Sequence, residues 1–545
     1  MLKKSVATKS IGLFAILLSL FTHSALQAAN KFPLGMNTNE VTHLDSSVPF
    51  VNLFKMSLPF DEANNKLTRG NIQYDHNGWP KQLNGGQAGT NLLHWVPVGT
   101  LPEGNYTVLY DGQGQIEYAD DAKLLSRSPG KDIIHISARH DSKRPNDGLD
   151  KFIKVTLIIK QSVPQNYLKN IRVLIPGGIC ARNPFQRVNS ANQCGGDYQA
   201  FEQHHERIIF NPDYLKFMRG FKTIRFMNMS GITRNSLSSW NQMPRMQQAT
   251  WAGREGRRGA PLEVMVSLAN KLNANAWLNI PEQANDDLVR RYAQFVKARL
   301  RPNLKVYLEY TNEAWNPAFT AAKFMQNKGV ALKLDPLRHN AGHRFYVQRA
   351  LQIFRIWKQV YGNSPQLVRV LGAWSANHRL TPLLLDHKNA HKNVDAIAIA
   401  PYFFVHKKVE SRVNSVPSVF QLLQDDTNPY SLNNVSKMIK KQVEYTKKYN
   451  IGLLAYEGGQ HLYSPGTRST KDFPNPFFIG ANRAHTMEQM YVRFLEDWRK
   501  STSGSLFVLF SSPRTYQAYG SWGVKEHINQ PAAKAPKYRA ILQFL

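Results

Sequence analysis

The chain has 545 residues, with 69 Lys and Arg against 38 Asp and Glu, a net charge of +31. At 42% hydrophobic and 11% aromatic it is too apolar for a disordered basic tail, and it must bury one large core or two smaller ones. Two cysteines exclude a disulfide scaffold and a cysteine-rich zinc module, which leaves the surplus of positive charge as the feature most in need of a partner.

The first thirty residues bear on that partner. Lys3, Lys4 and Lys9 precede or border the apolar run from Ile11 to Phe21, and Ser24-Ala-Leu-Gln-Ala-Ala29 follows. This order is that of a secretory signal, expected to be cleaved after Ala28 or Ala29. The apolar run is well short of the roughly twenty residues that a spanning helix needs, and an uncleaved anchor is the alternative. Removal of the three lysines lowers the net charge from +31 to +28. A secreted or periplasmic protein is expected, with no stable membrane insertion and no nucleic-acid partner. Cys180 and Cys194 would then meet an oxidising compartment, where a bridge closing a loop of about fifteen residues contributes about 3 kcal/mol. A free buried pair is the alternative.

In chain order, Leu34-Gly-Met-Asn37 reads as a short strand, and the apolar spacing of Val48 to Met56 predicts a helix after it. Segments alternating with period two follow: Asn71–Asp75, Tyr106–Tyr110, Gln115–Tyr118, Asp132–Ile136, Lys154–Ile159 and Ile171–Ile175. The turns His76-Asn-Gly78 and Asp111-Gly-Gln-Gly114 carry hairpin signals between them. Residues 61–205 are therefore expected to form an antiparallel β domain of sandwich type.

From residue 206 the rhythm changes to strand, loop and helix. Strands are read at Phe221–Asn228, Ala274–Ile280, Lys305–Thr311, Gln366–Trp374, Val394–Ala400, Ile451–Tyr456 and Gly504–Phe510, with helices at Pro261–Leu272, Asp286–Leu300, Ala341–Tyr361, Asn434–Tyr449 and Met487–Lys500. Seven such strands argue for parallel β/α units. With Leu34–Asn37 as the first strand, the expected fold is a (β/α)8 TIM barrel. Residues 30–60 hold its first strand and helix, 206–545 the remainder, and the β domain is inserted between the first and second barrel strands.

In such a barrel, catalytic groups sit at the C-terminal ends of strands. The fourth strand ends Glu309-Tyr-Thr-Asn312-Glu313-Ala-Trp315-Asn316, and the seventh ends Tyr456-Glu457-Gly-Gly-Gln-His461. Two strand-end carboxylates are what glycosidic cleavage needs, one to protonate the leaving oxygen and one to attack the anomeric carbon or activate water. Structural alternatives exist for each: a helix-start carboxylate at Glu313, and a turn cap at Glu457. A barrel that keeps its carboxylates but only binds glycans is a third.

This pair resembles the retaining glycoside hydrolases of the large (β/α)8 clan called clan A. The resemblance implies that Glu313 is the general acid/base, Glu457 the nucleophile and Asn312 the residue that binds the sugar 2-hydroxyl. It also matches Arg225 to an arginine near the nucleophile and Tyr402 to a tyrosine that hydrogen-bonds it. The texture Glu-Tyr-Thr-Asn-Glu-Ala-Trp-Asn is similar to that of secreted bacterial proteins of this clan, some labelled cellulose-binding. The third strand ends Trp277-Leu-Asn-Ile-Pro281, without the histidine that several families of the clan carry there, and no single family is assigned.

Trp315, Trp522 and His461 are further candidates for contact with a sugar. The expected mechanism is retaining, with carboxyl oxygens about 5 Å apart rather than the roughly 9 Å of inversion. No cofactor is expected. His339 and His343, four apart, lack a third metal ligand and read as a solvated helix face. Arg254, Arg257 and Arg258 lie after the second barrel strand, where they would steer an acidic sugar or simply form a solvated loop. The expected function is a secreted β-glycosidase acting on a polysaccharide or oligosaccharide, with attraction to an anionic cell surface. The alternative is a non-catalytic carbohydrate-binding or adhesion protein.

Overall fold

A computed structural model describes residues 31–138, 151–464 and 473–545. The proposed signal segment lies outside the described residues. Eight parallel strands close into a barrel in chain order. They are β1 (Leu34–Asn37), β2 (Thr223–Arg225), β3 (Asn275–Ile280), β4 (Val306–Tyr310), β5 (Leu367–Gly372), β6 (Ala396–Ile399), β7 (Gly452–Ala455) and β8 (Phe507–Leu509). β1 pairs in parallel with both β2 and β8, through Met36 opposite Ile224 and opposite Leu509, so the short Leu-Gly-Met-Asn run does close the barrel. The five expected helices are present as Leu262–Leu272, Asp286–Arg299, Arg338–Tyr361, Leu432–Lys448 and His485–Thr502. Further helices, among them Thr320–Ala331 and Val416–Gln424, were not expected.

The helix expected over Val48–Met56 is absent. Only a 3-10 turn, Leu53–Met56, forms there. Val48 takes a φ of 41°, Phe50 bridges Phe210, and the Val51 N–H donates to the carbonyl of Ile209 at 2.9 Å. Long-range pairing has claimed the backbone groups that a helix would have used internally, and the apolar side chains are buried without helical periodicity.

Between β1 and β2 the chain builds sheets in which every pairing is antiparallel. One orders Lys169–Leu174, Gly104–Asp111, Lys131–Ile136 and Ala122–Ser128, and another orders Ala88–Pro97, Phe152–Ser162 and Gly114–Asp120. The Asn77-Gly78 turn joins paired strands Gln73–Tyr74 and Pro80–Gln82 as a hairpin. Asp111-Gly112 does not: the strands on its two sides pair in different sheets, so this turn is a corner between them. A Cβ on Gly112 would sit 2.2 Å from the carbonyl oxygen of Tyr167, and its φ of 92° favours glycine. The two sheets are tied by Asp132, fully buried, which accepts from Arg127 (2.8 and 2.9 Å), Tyr110 (3.1 Å) and Tyr118 (2.8 Å). Cys180 and Cys194 form a disulfide. The buried apolar cluster runs without a break from these sheets into the barrel, for example through the stack of Phe54 on Trp79. Among the described residues, no helix is long and apolar enough to cross a membrane.

Candidate active site

The C-terminal ends of β1, β2, β4 and β7 converge on one buried polar network. Its centre is Arg225, the last residue of β2, with no exposed surface. All five guanidinium N–H donors have acceptors: Nε reaches Glu309 at 3.2 Å, Nη1 reaches Asn37 at 3.1 Å and Glu457 at 2.8 Å, and Nη2 reaches Glu309 at 2.9 Å and Asn312 at 3.0 Å. Burial alone would push the guanidinium down, but the charges of Glu309 and Glu457 outweigh it and hold Arg225 firmly protonated. Asn37 also donates to the carbonyls of Tyr456 and Leu509, which locks β1 to the ends of β7 and β8.

Glu457 is bound on both oxygens, to Arg225 through Oε1 and to the Tyr402 hydroxyl at 2.8 Å through Oε2. It does not act as a turn cap. Gly458 and Gly459 after it are sterically required, since a Cβ on Gly458 would sit 2.3 Å from Phe507 Cζ and one on Gly459 2.6 Å from the Tyr491 hydroxyl. Tyr402 stands beside this turn because Tyr402–Phe403 pairs in parallel with Gly459–Gln460.

Glu313 lies past the end of β4 on a strained turn, with Thr311 at φ 55° and Glu313 itself at φ 41°. No helix starts at Glu313, the next being Thr320–Ala331, so the helix-start alternative fails. Its Oε1 accepts from the Tyr456 hydroxyl at 2.8 Å and its Oε2 from Asn316 Nδ2 at 2.7 Å. Burial and then the negative charge of Glu457 push its pKa up from 4.5 to about 8, against the pull of those two donors and of Arg225. Burial also pushes Glu457 up, but there the Arg225 charge and the Tyr402 hydroxyl oppose it. Two identical side chains are thus placed asymmetrically: the arginine contacts Glu457 directly, and Glu313 has only neutral donors.

Asn312 binds Arg225 through its carbonyl, and its buried Nδ2 has no protein partner. A donor left open beside two carboxylates is placed for a ligand hydroxyl. Trp315 stacks on Trp374 almost coplanarly, with ring centroids 5.3 Å apart, and Trp374 is partly exposed. Trp522 donates from Nε1 to His461 Nδ1 at 3.0 Å. Burial lowers His461 to about 4, so the ring is neutral and able to accept that bond at ordinary pH. His461 also contacts Tyr402, Tyr463 and Phe404, making an aromatic wall next to Glu457.

Two members of this network lay outside the sequence reading. Glu309, 1% exposed, accepts from Arg225, from Trp277 Nε1 at 2.8 Å and from Asn279 Nδ2 at 2.8 Å. The signal was available: a glutamate in the middle of an apolar strand can be buried only if paired. Tyr456, which holds Glu313, had no such signal. His339 and His343 contact each other on a helix without a third ligand, and the only candidate metal cluster among the described residues is the disulfide with Asp197. Arg254 and Arg257 are exposed and Arg258 partly so, as in a solvated loop, but the loop is anchored by acids. The backbone N–H of Arg254 donates to Glu62 at 2.7 Å, Arg257 pairs with Glu62 at 2.8 Å, and Arg258 pairs with Asp61 at 3.1 Å.

No family model matches this chain, and no curated protein does. Solved structures similar in part include a GH51 arabinofuranosidase from Xanthomonas axonopodis pv. citri, at 12% identity and a TM-score of 0.38, covering 63% of this chain and 64% of that one. A GH10 xylanase from Thermobacillus composti is similar at 12% identity and a TM-score of 0.34, over 59% of this chain and 89% of that one. An endo-1,4-beta-xylanase from Caldicellulosiruptor owensensis follows at 13% and 0.36, over 63% and 93%. The chain thus spans less than two thirds of the arabinofuranosidase it matches. Likeness at this level carries no argument about activity, which rests on the residues of the site.

Proposed function

We propose that the protein is a secreted retaining β-glycosidase acting on a polysaccharide or oligosaccharide. The observation that carries this reading is the unequal treatment of the two buried carboxylates, Glu457 bonded directly to Arg225 and Glu313 raised to about 8. Glu457 attacks the anomeric carbon, the glycosidic C–O bond breaks, and the leaving oxygen takes the proton of Glu313. Once Glu457 is an ester, its charge no longer raises Glu313, whose pKa falls so that it can take a proton from water. That water attacks the anomeric carbon and the ester bond breaks, which regenerates both carboxyl groups. Asn312 Nδ2 donates to the sugar 2-hydroxyl, and Arg225 and Tyr402 keep Glu457 ionised and aimed. Trp315, Trp522 and His461 contribute aromatic faces to the sugar, and no cofactor enters.

Residues 61–205 are assigned to an inserted β module of sandwich type, and the leader to cleavage on export. Export would bring the basic protein to anionic envelope polymers, an attraction that salt screens within about 8 Å at physiological strength. The test is product release from a panel of glycans by the wild type and by Glu457→Ala. Loss of activity in the variant, partly rescued by azide with inversion of the product, is expected. Undiminished hydrolysis by Glu457→Ala would remove the assignment, and binding without turnover of any glycan would favour the adhesion reading. The anomer first released, followed by NMR, separates retention from inversion.

A further inference from the structure

A polar cavity of about 460 Å³ opens in the loops after β2 and is lined by Arg234, Asn235, Gln242, Gln248, Arg257 and Arg258 among others. Its volume falls within the range of small-ligand sites, roughly 300–1,000 Å³. Every charged side chain in its lining is an arginine. Each arginine is paired with a carboxylate, Arg234 with Glu255, Arg257 with Glu62 and Arg258 with Asp61, and none of these acids is part of the lining. An arginine carries five N–H donors, and these ion pairs occupy only some of them. The two glutamines add to the donor surplus. Gln242 Oε1 is taken by the N–H groups of Ser238 and Ser239, and Gln248 Oε1 by that of Arg245. With those oxygens occupied, the amide NH2 groups are what these two lining residues have to offer a ligand. Asn235 supplies the opposite function, a buried carbonyl oxygen without a protein partner.

The frame around these arginines is tightly packed. A Cβ on Gly256 would sit 2.4 Å from Glu40 Cβ, one on Gly259 2.3 Å from the Ser230 carbonyl carbon, and one on Gly231 2.6 Å from the Gly256 carbonyl oxygen. Glu40, following β1, is itself paired with Arg514 at 2.9 Å, following β8. The cavity therefore belongs to the same barrel face as the carboxylates. It shares Asn235, Leu237 and Pro244 with a smaller void that reaches Asn279, the donor to Glu309 at the top of β3.

We infer that this cavity is an oxyanion subsite, which takes an acidic sugar unit of the substrate, a uronate carboxylate or a sulfate ester. The inference rests on the glycosidase reading and narrows it to acidic glycans. Arginine forks match both anions bidentately, Gln242 and Gln248 donate to the remaining oxygens, and Asn235 accepts from a ring hydroxyl.

The test uses the full mature chain carrying Glu457→Gln, so that binding is read apart from turnover. Calorimetric titration is run with an oligogalacturonate, a sulfated dextran oligomer and a cello-oligosaccharide of equal length. One acidic oligomer should bind at least tenfold more tightly than the neutral one, and which of the two does so identifies the anion. Arg257→Gln and Arg234→Gln should each weaken that binding about tenfold, the size of one charge-assisted contact. Arg234→Gln guards against misfolding, since its ion-pair partner Glu255 is exposed. Equal affinity for all three oligomers, or unchanged acidic binding in both variants, would overturn the inference. Hydrolysis of a neutral glycan by the wild type alongside that result leaves the glycosidase standing. Acidic binding with no turnover of any glycan by the wild type removes the glycosidase instead.

Discussion

Arg225 has no water to fall back on, so its two carboxylate partners and its surroundings must stand or fall together. Arg225→Met leaves Glu309 and Glu457 as uncompensated buried charges and should destabilise the fold by about 3–5 kcal/mol, read as the shift of the urea midpoint. The residual activity should fall as well, because Glu457 loses the donor that keeps it ionised. Glu313 gives a prediction of opposite sign. Its folded pKa of about 8 exceeds its ordinary 4.5, so between those values the folded state holds a proton that the unfolded chain has released. Stability should therefore fall as pH rises through that window. Glu313→Gln removes the titration, and its melting temperature relative to wild type should rise steadily from pH 5 to pH 8. A constant difference across that range would contradict the burial of an ionisable Glu313. The kcat/KM of the wild type should fall on the alkaline side, with an apparent pKa near 8, as Glu313 loses the proton it supplies. Arg225, Asn312, Glu313 and Glu457 were legible because each closes a barrel strand in a recognisable dipeptide or tetrapeptide. Tyr456 was not, because its partner lies across the barrel and nothing local requires a hydroxyl there.

At the scale of elements, glycines and turns carry the information that periodicity misses. Gly458→Ala puts a methyl group 2.3 Å from the Phe507 ring and must displace either β8 or Glu457. A loss of activity of at least a hundredfold, with a melting temperature lowered by several degrees, is the expected result. The Cys180–Cys194 bridge spans a separation of 14 residues, and Cys180→Ser with Cys194→Ser should cost about 3 kcal/mol of local stability. The readout is hydrogen exchange or proteolysis around 178–200, with barrel protection unchanged. Seven barrel strands, β2 to β8, and five helices follow from hydrophobic periodicity and strand spacing alone. The Val48–Met56 helix does not form because Phe50 and Asn52 are drawn into bridges with Phe210 and Leu174, partners that lie far along the chain. For the same reason the Asp111-Gly112 signal, locally a hairpin, becomes a corner between two sheets.

Over the whole molecule, the inserted sheets and the barrel share one apolar cluster, so their stabilities are coupled. Calorimetric unfolding of the mature chain should show a single transition, with tryptophan fluorescence and far-ultraviolet ellipticity coincident. Two resolved transitions would mean that the insertion unfolds as an independent unit. The basic charge of +31 is a property of composition, and composition is as far as sequence alone could carry it. Periodicity determined a barrel with an antiparallel insertion, because burying one face of a helix or strand leaves a local imprint. Strand-end motifs determined which carboxylates to watch. Only the tertiary structure decided that Arg225 joins Glu309 to Glu457, that Tyr456 holds Glu313, and that arginines after β2, each paired with an acid, line one cavity. Those contacts join residues tens to hundreds of positions apart, and their energies depend on burial and distance, which no local pattern in the chain encodes.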